Sequence, residues 1–337
     1  MEELFAEVCR RDGCAVKPIR GMDDPRAFRC KAASPYAPGA KGRIRSGFYE
    51  GGTHRIVACQ ECLVEDGRAR SLLNDVARVA ERLHIEAYQE DHCSGVLRHA
   101  IVRCGHATRD VMLVVVTNGD GLPYRERFVQ MLRGRHPELT TIVQNINARR
   151  TNAMLGRRCV TLWGPGTMRD RLLGCDFEIG PTSFYQTNPA QTEMLYRRAI
   201  EGAEVREGEH VLDAYCGCGT IGLCLAHDAR ARGIEGISVV GVEQVGSAVR
   251  NARRNASVND LAGHCSFVQA DATAYMNGIA RERRGSEGFD TVIMDPPRAD
   301  STAAFIDGVV ALAPRRVVYV SCTPTTQMRD LDMFARH

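Results

Sequence analysis

The chain contains no apolar run approaching the roughly 18 residues that a membrane-spanning helix needs. It opens on Met1-Glu-Glu-Leu-Phe-Ala-Glu7, without the basic region and apolar stretch of a secretory signal. Internal repeats and low-complexity tracts are also missing, which argues against solenoid and disordered classes. These absences lead to the expectation of a cytoplasmic protein with no membrane association. In a reducing compartment the 14 Cys are read as free thiols, not as a disulfide framework.

What is present is ordinary in bulk and uneven in detail. A hydrophobic content of 44% and a charged content of 25% suit a globular chain, and 337 residues suffice for about two domains. Net charge is only +3, but residues 1–175 hold 28 Lys+Arg against 20 Asp+Glu, while residues 176–337 hold 16 against 21. A basic front half and an acidic back half fit a polyanion-gripping module joined to a cofactor domain. A solvated Arg-rich surface would give the same numbers.

The pattern predicts a helix over 1–16, paired strands over 43–65, a helix over 71–89, strands at Val96–Val102 and Val111–Val116, a helix at Glu126–Arg135 and a strand at Thr141–Asn147. From His210 the rhythm changes. Strand-like segments at His210–Ala214, Val239–Glu243, Ser266–Gln269, Thr291–Met294 and Val317–Ser321 alternate with helical ones. That alternation predicts an α/β fold with a doubly wound, Rossmann-like C-terminal domain over 176–337, preceded by an α+β domain over 1–175.

Two features of the C-terminal half carry chemistry. Val211-Leu-Asp-Ala-Tyr-Cys-Gly-Cys-Gly-Thr-Ile-Gly-Leu223 reads as strand, glycine turn and helix, where Gly217 and Gly219 let backbone approach a ligand. Glu243 ends the second strand and is placed to accept hydrogen bonds from ribose hydroxyls. Asp271 and Asp295 end the third and fourth strands. This spacing is similar to that of an S-adenosylmethionine-dependent methyltransferase. Gly217-Cys-Gly-Thr-Ile-Gly222 also fits the dinucleotide fingerprint superficially, so an NAD(P)-dependent oxidoreductase stays open as an alternative. The second feature is Cys322, in Val318-Tyr-Val-Ser-Cys-Thr-Pro324, at the expected end of a core strand. A thiol held at that rim can serve as a nucleophile. A buried structural Cys is the competing interpretation.

Taken together, Ser183-Phe-Tyr-Gln-Thr-Asn-Pro189, Asp213-Ala-Tyr-Cys-Gly-Cys-Gly-Thr220, Asp295-Pro-Pro-Arg298 and Ser321-Cys-Thr-Pro324 resemble the RNA uridine-5-methyltransferase family. Phe28-Arg-Cys-Lys31, Gly47-Phe-Tyr49, Gly95-Val-Leu-Arg-His99, Gln144-Asn-Ile-Asn147 and Thr151-Asn152 extend the resemblance over nearly the whole chain. It implies a class I methyltransferase domain, S-adenosylmethionine as cofactor and an RNA substrate, with 23S rRNA favoured over tRNA. It further implies Cys322 as nucleophile, and Gln186, Tyr215, Gly217, Thr220, Glu243, Asp271 and Asp295 as cofactor-contacting positions. Asp295, Gln186 or Arg298 is placed to bond the uracil edge.

Three departures qualify the resemblance. The small RNA-binding barrel that often begins such proteins has no counterpart in residues 1–337, so none is expected. Cys62 matches one ligand of the family's iron–sulfur cluster, but the three closely spaced Cys expected upstream are missing, and Cys9 and Cys14 have the wrong spacing. The expectation is therefore no cluster and no metal. The family's general base, a Glu in a final His-x-Glu segment, has no counterpart before His337, so a truncated catalytic domain is expected. That departure leaves a non-catalytic RNA-binding or assembly role as an alternative, beside methylation of an exocyclic amine through Asp295-Pro-Pro-Arg298 without a covalent step.

Overall fold

The computed structural model describes residues 1–151, 153–282, 288–298 and 301–337. Its contacts divide the chain into two units. One comprises Met1–Met22, Leu172–Phe177 and Gln191–His337, and the other Asp23–Arg171 and Glu178–Ala190. This division differs in two places from the single boundary expected near residue 175. The N-terminal helix α1 (Glu2–Asp12) groups with the C-terminal unit because its apolar residues Phe5 and Val8 are buried there. Residues 178–190 group with the front unit, where the carbonyl of Thr187 accepts from the Cys30 amide at 2.9 Å.

The front unit is a seven-stranded sheet in the order β3-β2-β1-β4-β5-β6-β7. Its strands are β1 (Lys31–Pro38), β2 (Ile44–Tyr49), β3 (Ile56–Ala58), β4 (Leu97–Cys104), β5 (Val111–Thr117), β6 (Thr141–Ile146) and β7 (Arg158–Trp163), with helices α2 (Gly67–Arg82) and α3 (Arg125–Arg135). β5 and β6 run parallel, joined through α3, and the other neighbours are antiparallel. Asp66 starts α2 by accepting from the Arg68 amide at 3.0 Å, the usual role of an N-cap. Leu72, Leu73 and Val76 of α2 pack with Leu97, Val102 and Leu113 in one buried cluster. β1 was not expected from the sequence. It holds its place through buried side chains, with Tyr36 Oη donating to the Leu73 carbonyl at 2.8 Å. Asn152, the end of one of the family-like motifs, lies outside the described residues.

Between these segments the chain forms a two-stranded sheet of β8 (Met168–Leu172) and β9 (Cys175–Ile179). Helix α4 (Pro189–Ala203) then leads into five strands: β10 (His210–Ala214), β11 (Ser238–Glu243), β12 (Cys265–Gln269), β13 (Thr291–Met294) and β14 (Arg316–Tyr319). They pair in parallel in the order β12-β11-β10-β13-β14. Helices α5 (Thr220–Ala231), α6 (Gly246–Val258), α7 (Ala272–Glu282), α8 (Ala303–Leu312) and α9 (Pro324–Phe334) intervene or follow. Leu212, Val242, Val292 and Met294 form a buried cluster with Met276 of α7 and Phe305 and Val309 of α8. The chain leaves β10 toward β11 on one side and later returns to β13 on the other, so the carboxyl ends of these strands flank a topological switch point, where α/β sheets bind ligands. No helix among the described residues is long and apolar enough to cross a membrane.

Candidate cofactor and nucleophile site

The end of β10 turns through three residues in left-handed backbone: Tyr215 at φ 62°, Gly217 at 57° and Gly219 at 80°. For the glycines this conformation costs no side-chain clash. For Tyr215 it costs on the order of 1–2 kcal/mol, held in place by its surroundings. The Tyr215 ring packs on Phe305 with centroids 5.3 Å apart. A Cβ added at Gly219 would come within 2.9 Å of the Phe267 ring, whereas one at Gly217 would meet nothing within 4 Å. Packing therefore fixes Gly219, while Gly217 presents bare backbone to open space at the switch point.

Acidic side chains shape the rest of the turn. Glu243, the last residue of β11, accepts from the Gly217 amide at 3.1 Å through Oε2 and from the Val245 amide at 2.7 Å through Oε1. It thus ties the glycine turn to the neighbouring strand end. Asp271 lies just past β12, exposed, with Oδ1 accepting from the Ala274 amide at 2.9 Å as a cap for α7. Asp295 follows β13, and its amide donates to the Ala214 carbonyl at 3.4 Å, joining it to the end of β10. Burial pushes the Asp295 carboxyl up to about 6. Thr220 opens α5, and its Oγ1 lies 3.0 Å from Tyr196 Oη of α4.

Two contributors were not singled out from the sequence. Asp213 is wholly buried and accepts from the Gly222 amide at 2.9 Å, which anchors the start of α5 behind the turn. Its only sequence signal is a carboxylate next to last in a strand that leads into a glycine turn. Tyr196 has no sequence signal, because nothing in a helix pattern shows which hydroxyl will meet Thr220.

β14 ends at Tyr319, two residues earlier than its apolar run suggests, so Cys322 sits in a loop and not on the strand. The Ser321 hydroxyl accepts from the Thr323 amide at 3.0 Å and competes with strand pairing. Val320 still donates to the Met294 carbonyl of β13 at 2.9 Å, and Pro324 occupies the first turn of α9. Cys322 is exposed, with Sγ 3.6 Å from Thr323 Oγ1. The buried structural interpretation of this thiol does not hold. Cys175, Cys216, Cys218, Cys224 and Cys265 of the same unit are buried.

Tyr215, Gly217, Thr220, Glu243, Asp271, Asp295 and Cys322 therefore belong to one unit and cluster at or just beyond the carboxyl ends of its strands. Gln186 belongs to the front unit, where its carbonyl lies 3.4 Å from Cys30 Sγ. Cys59 and Cys62 are in the front unit too, with Cys59 Sγ 3.0 Å from the Glu61 carbonyl. Cys9 and Cys14 lie in the other unit, their sulfurs 3.6 Å apart. Among the described residues no group of three or more His, Cys, Asp or Glu is arranged to hold a metal.

Residues 206–325 match a family model described as a methyltransferase domain. A Staphylococcus aureus protein described as an uncharacterized RNA methyltransferase is 36% identical over 337 residues, covering 98% of this chain and 71% of that protein. The chain belongs to the RNA methyltransferases. A relative of the same description from Oceanobacillus iheyensis is 35% identical over 332 residues, covering 98% of this chain and 70% of its own. The crystal structure of the Pyrococcus abyssi tRNA (uracil-54, C5)-methyltransferase in complex with S-adenosyl-L-homocysteine superposes with a TM-score of 0.76 at 29% identity, over 98% of this chain and 75% of that one. This RNA methyltransferase has the S-adenosylmethionine-dependent fold, and the dinucleotide alternative falls away.

Proposed function

We propose that this RNA methyltransferase methylates carbon 5 of a uridine, with Cys322 as a transient covalent nucleophile. The observation that carries the reading is an exposed thiol on the β14–α9 loop, beside the strand that leads into Asp295. It is supported by the likeness to a tRNA (uracil-54, C5)-methyltransferase. Tyr215, Gly217, Thr220, Glu243, Asp271 and Asp295 would hold S-adenosylmethionine. When bound, the cofactor supplies an electrophilic methyl group. Carbon 5 of uracil is too weak a nucleophile to take it unaided. Attack of the Cys322 thiolate on carbon 6 would push electron density onto carbon 5, which could then take the methyl group as its bond to the sulfonium sulfur breaks and S-adenosyl-L-homocysteine leaves. Transfer of the carbon-5 proton to a base and expulsion of the thiolate would restore the ring. The base must leave any stack to reach an exposed loop thiol, so a looped or flipped uridine is the expected substrate.

We take 23S rRNA as the substrate, on the family-like motifs of both halves, with the excess of Arg over acidic groups in residues 1–175 gripping the phosphates. tRNA is the second reading, favoured by the Pyrococcus abyssi likeness. Two measurements test the proposal. RNA carrying 5-fluorouridine cannot lose fluorine as a cation, so it should trap a denaturation-stable protein–RNA band that Cys322→Ser abolishes. Methyl transfer that survives Cys322→Ser would instead point to an exocyclic amine as acceptor. Mapping 5-methyluridine in rRNA and tRNA from a deletion strain assigns the substrate, and finding it undiminished in both would overturn the reading.

A further inference from the structure

The loop that carries Cys322 is fastened by a buried carboxylate that the chemistry above does not use. Asp330 lies in α9 and is wholly buried. Its Oδ2 accepts from Tyr319 Oη at 2.7 Å, and its Oδ1 accepts from Arg329 Nη2 at 2.6 Å and Nε at 2.9 Å. Tyr319 is the last residue of β14, so donor and acceptor stand on opposite sides of residues 320–323. Gln327 of α9 adds a second tie, Nε2 donating to the Tyr319 carbonyl at 3.3 Å. Arg329 carries the network further by donating to the Ser301 carbonyl at 3.2 Å.

Burying a carboxylate is a costly way to attach a helix, since an apolar side chain would pack there without losing hydration. What the carboxylate supplies is direction: it fixes one hydroxyl at one distance. Direction matters at this point of the fold. Cys322 is exposed and its sulfur lies 3.6 Å from the hydroxyl of the adjacent Thr323, so the loop backbone sets the position of Sγ. A displacement of about 1 Å at a reacting atom can lower a rate by about 100-fold.

We infer that Asp330 is a positioning residue, which acts through Tyr319 to hold the β14–α9 loop so that Cys322 presents its sulfur to the substrate. The inference rests on the nucleophilic role proposed for Cys322. Its test uses the full chain with Tyr319→Phe, which removes one hydroxyl, Asp330→Asn, and the double variant. Three quantities are read: S-adenosyl-L-homocysteine affinity by calorimetry, the rate of adduct formation with a 5-fluorouridine-substituted 23S rRNA transcript, and the rate of Cys322 alkylation by iodoacetamide followed by mass spectrometry. Both single variants are expected to bind S-adenosyl-L-homocysteine within twofold of the parent. Their adduct formation should slow at least tenfold, and Cys322 should alkylate at least threefold faster as the loop loosens. The double variant should be no worse than the worse single one, since both remove the same phenol-to-carboxylate hydrogen bond. Adduct and alkylation rates within twofold of the parent in Tyr319→Phe would overturn the inference, as would a loss of cofactor affinity in proportion to the loss of rate. If Asp330→Asn does not fold, Tyr319→Phe alone decides. If the parent forms no adduct, the uridine chemistry fails on its own. The alkylation comparison still decides, a faster rate supporting the positioning role and an unchanged one overturning it.

Discussion

Replacing Asp213 with Asn should remove the pH dependence that this residue imposes on its unit. The carboxylate is wholly buried, with Oδ2 on the Gly222 amide and no hydrogen-bond partner for Oδ1. Burial raises its pKa to about 7, with the Gly222 hydrogen bond pulling against it and the charges of Asp295 and Glu243 adding to it. An Asp in an unfolded chain titrates near 4. Between those values the folded protein keeps a proton that the unfolded chain releases. Stability from this group is thus fully present below about pH 4 and lost as pH rises through about 7. A shift of about three units at 1.36 kcal/mol each amounts to about 4 kcal/mol. Asn keeps the acceptor for Gly222, places an amide where Oδ1 stands alone, and removes the titration. The variant should therefore be less pH-sensitive, and more stable than the parent at pH 8 by about 2–4 kcal/mol. Urea unfolding at pH 5, 6, 7 and 8 measures this by far-ultraviolet circular dichroism. Fluorescence of Trp163, the single tryptophan and a residue of β7, reports the front unit separately. Parallel stability curves for Asp213→Asn and the parent from pH 5 to 8 would show that Asp213 carries no such burden.

Other expectations follow from the same geometry. Glu243→Ala releases the Gly217 and Val245 amides and should weaken S-adenosyl-L-homocysteine binding by roughly 1–3 kcal/mol, read by calorimetry, and unchanged affinity would remove Glu243 from the site. RNA affinity should fall linearly in log–log terms as salt rises, the slope counting the phosphates neutralised, and a flat dependence would count against a polyanion grip by residues 1–175. His99 is buried and its pKa is pulled down to about 4, first by desolvation and then by Arg98. The unfolded chain protonates this histidine first, so front-unit stability should drop as pH falls from about 6.5 toward 4, by about 3 kcal/mol. Trp163 fluorescence in urea reads that loss, and a His99→Gln variant with the same acid sensitivity would disprove the assignment.

The parallel sheet was legible because its strands are apolar runs separated by helical periods, and because glycine and carboxylate positions at strand ends have a stated chemical use. β1 was not, since Lys31-Ala-Ala-Ser-Pro-Tyr-Ala-Pro38 contains two prolines, which ordinarily argue against a paired strand. Its place is fixed by tertiary contacts, such as Ser34 Oγ accepting from the Gly47 amide at 2.9 Å, that no local pattern encodes. The loop position of Cys322 was hidden for a related reason. Val317 to Val320 looks like uninterrupted strand, and one serine hydroxyl bonding two residues ahead ends it. The grouping of α1 with the C-terminal unit escaped altogether, because a short amphipathic helix carries no mark of its distant partner.

That partnership has a consequence for how the chain acquires its structure. α1 packs against α9, and Arg11 and Asp332, which stand 321 positions apart, approach to 3.5 Å. The unit that carries the glycine turn and Cys322 is therefore discontinuous, and the front unit, interrupted only by Leu172–Phe177, is inserted between its first helix and Gln191–His337. During synthesis the front unit can complete itself once residue 190 has emerged, whereas α1 must wait for α9. The entropy of closing so long a loop grows only slowly with its length, and an already folded insert shortens the flexible part further. The order of events is thus built into the connectivity. The inserted unit can fold before α9 is made, and the unit that carries the glycine turn closes when α9 meets α1.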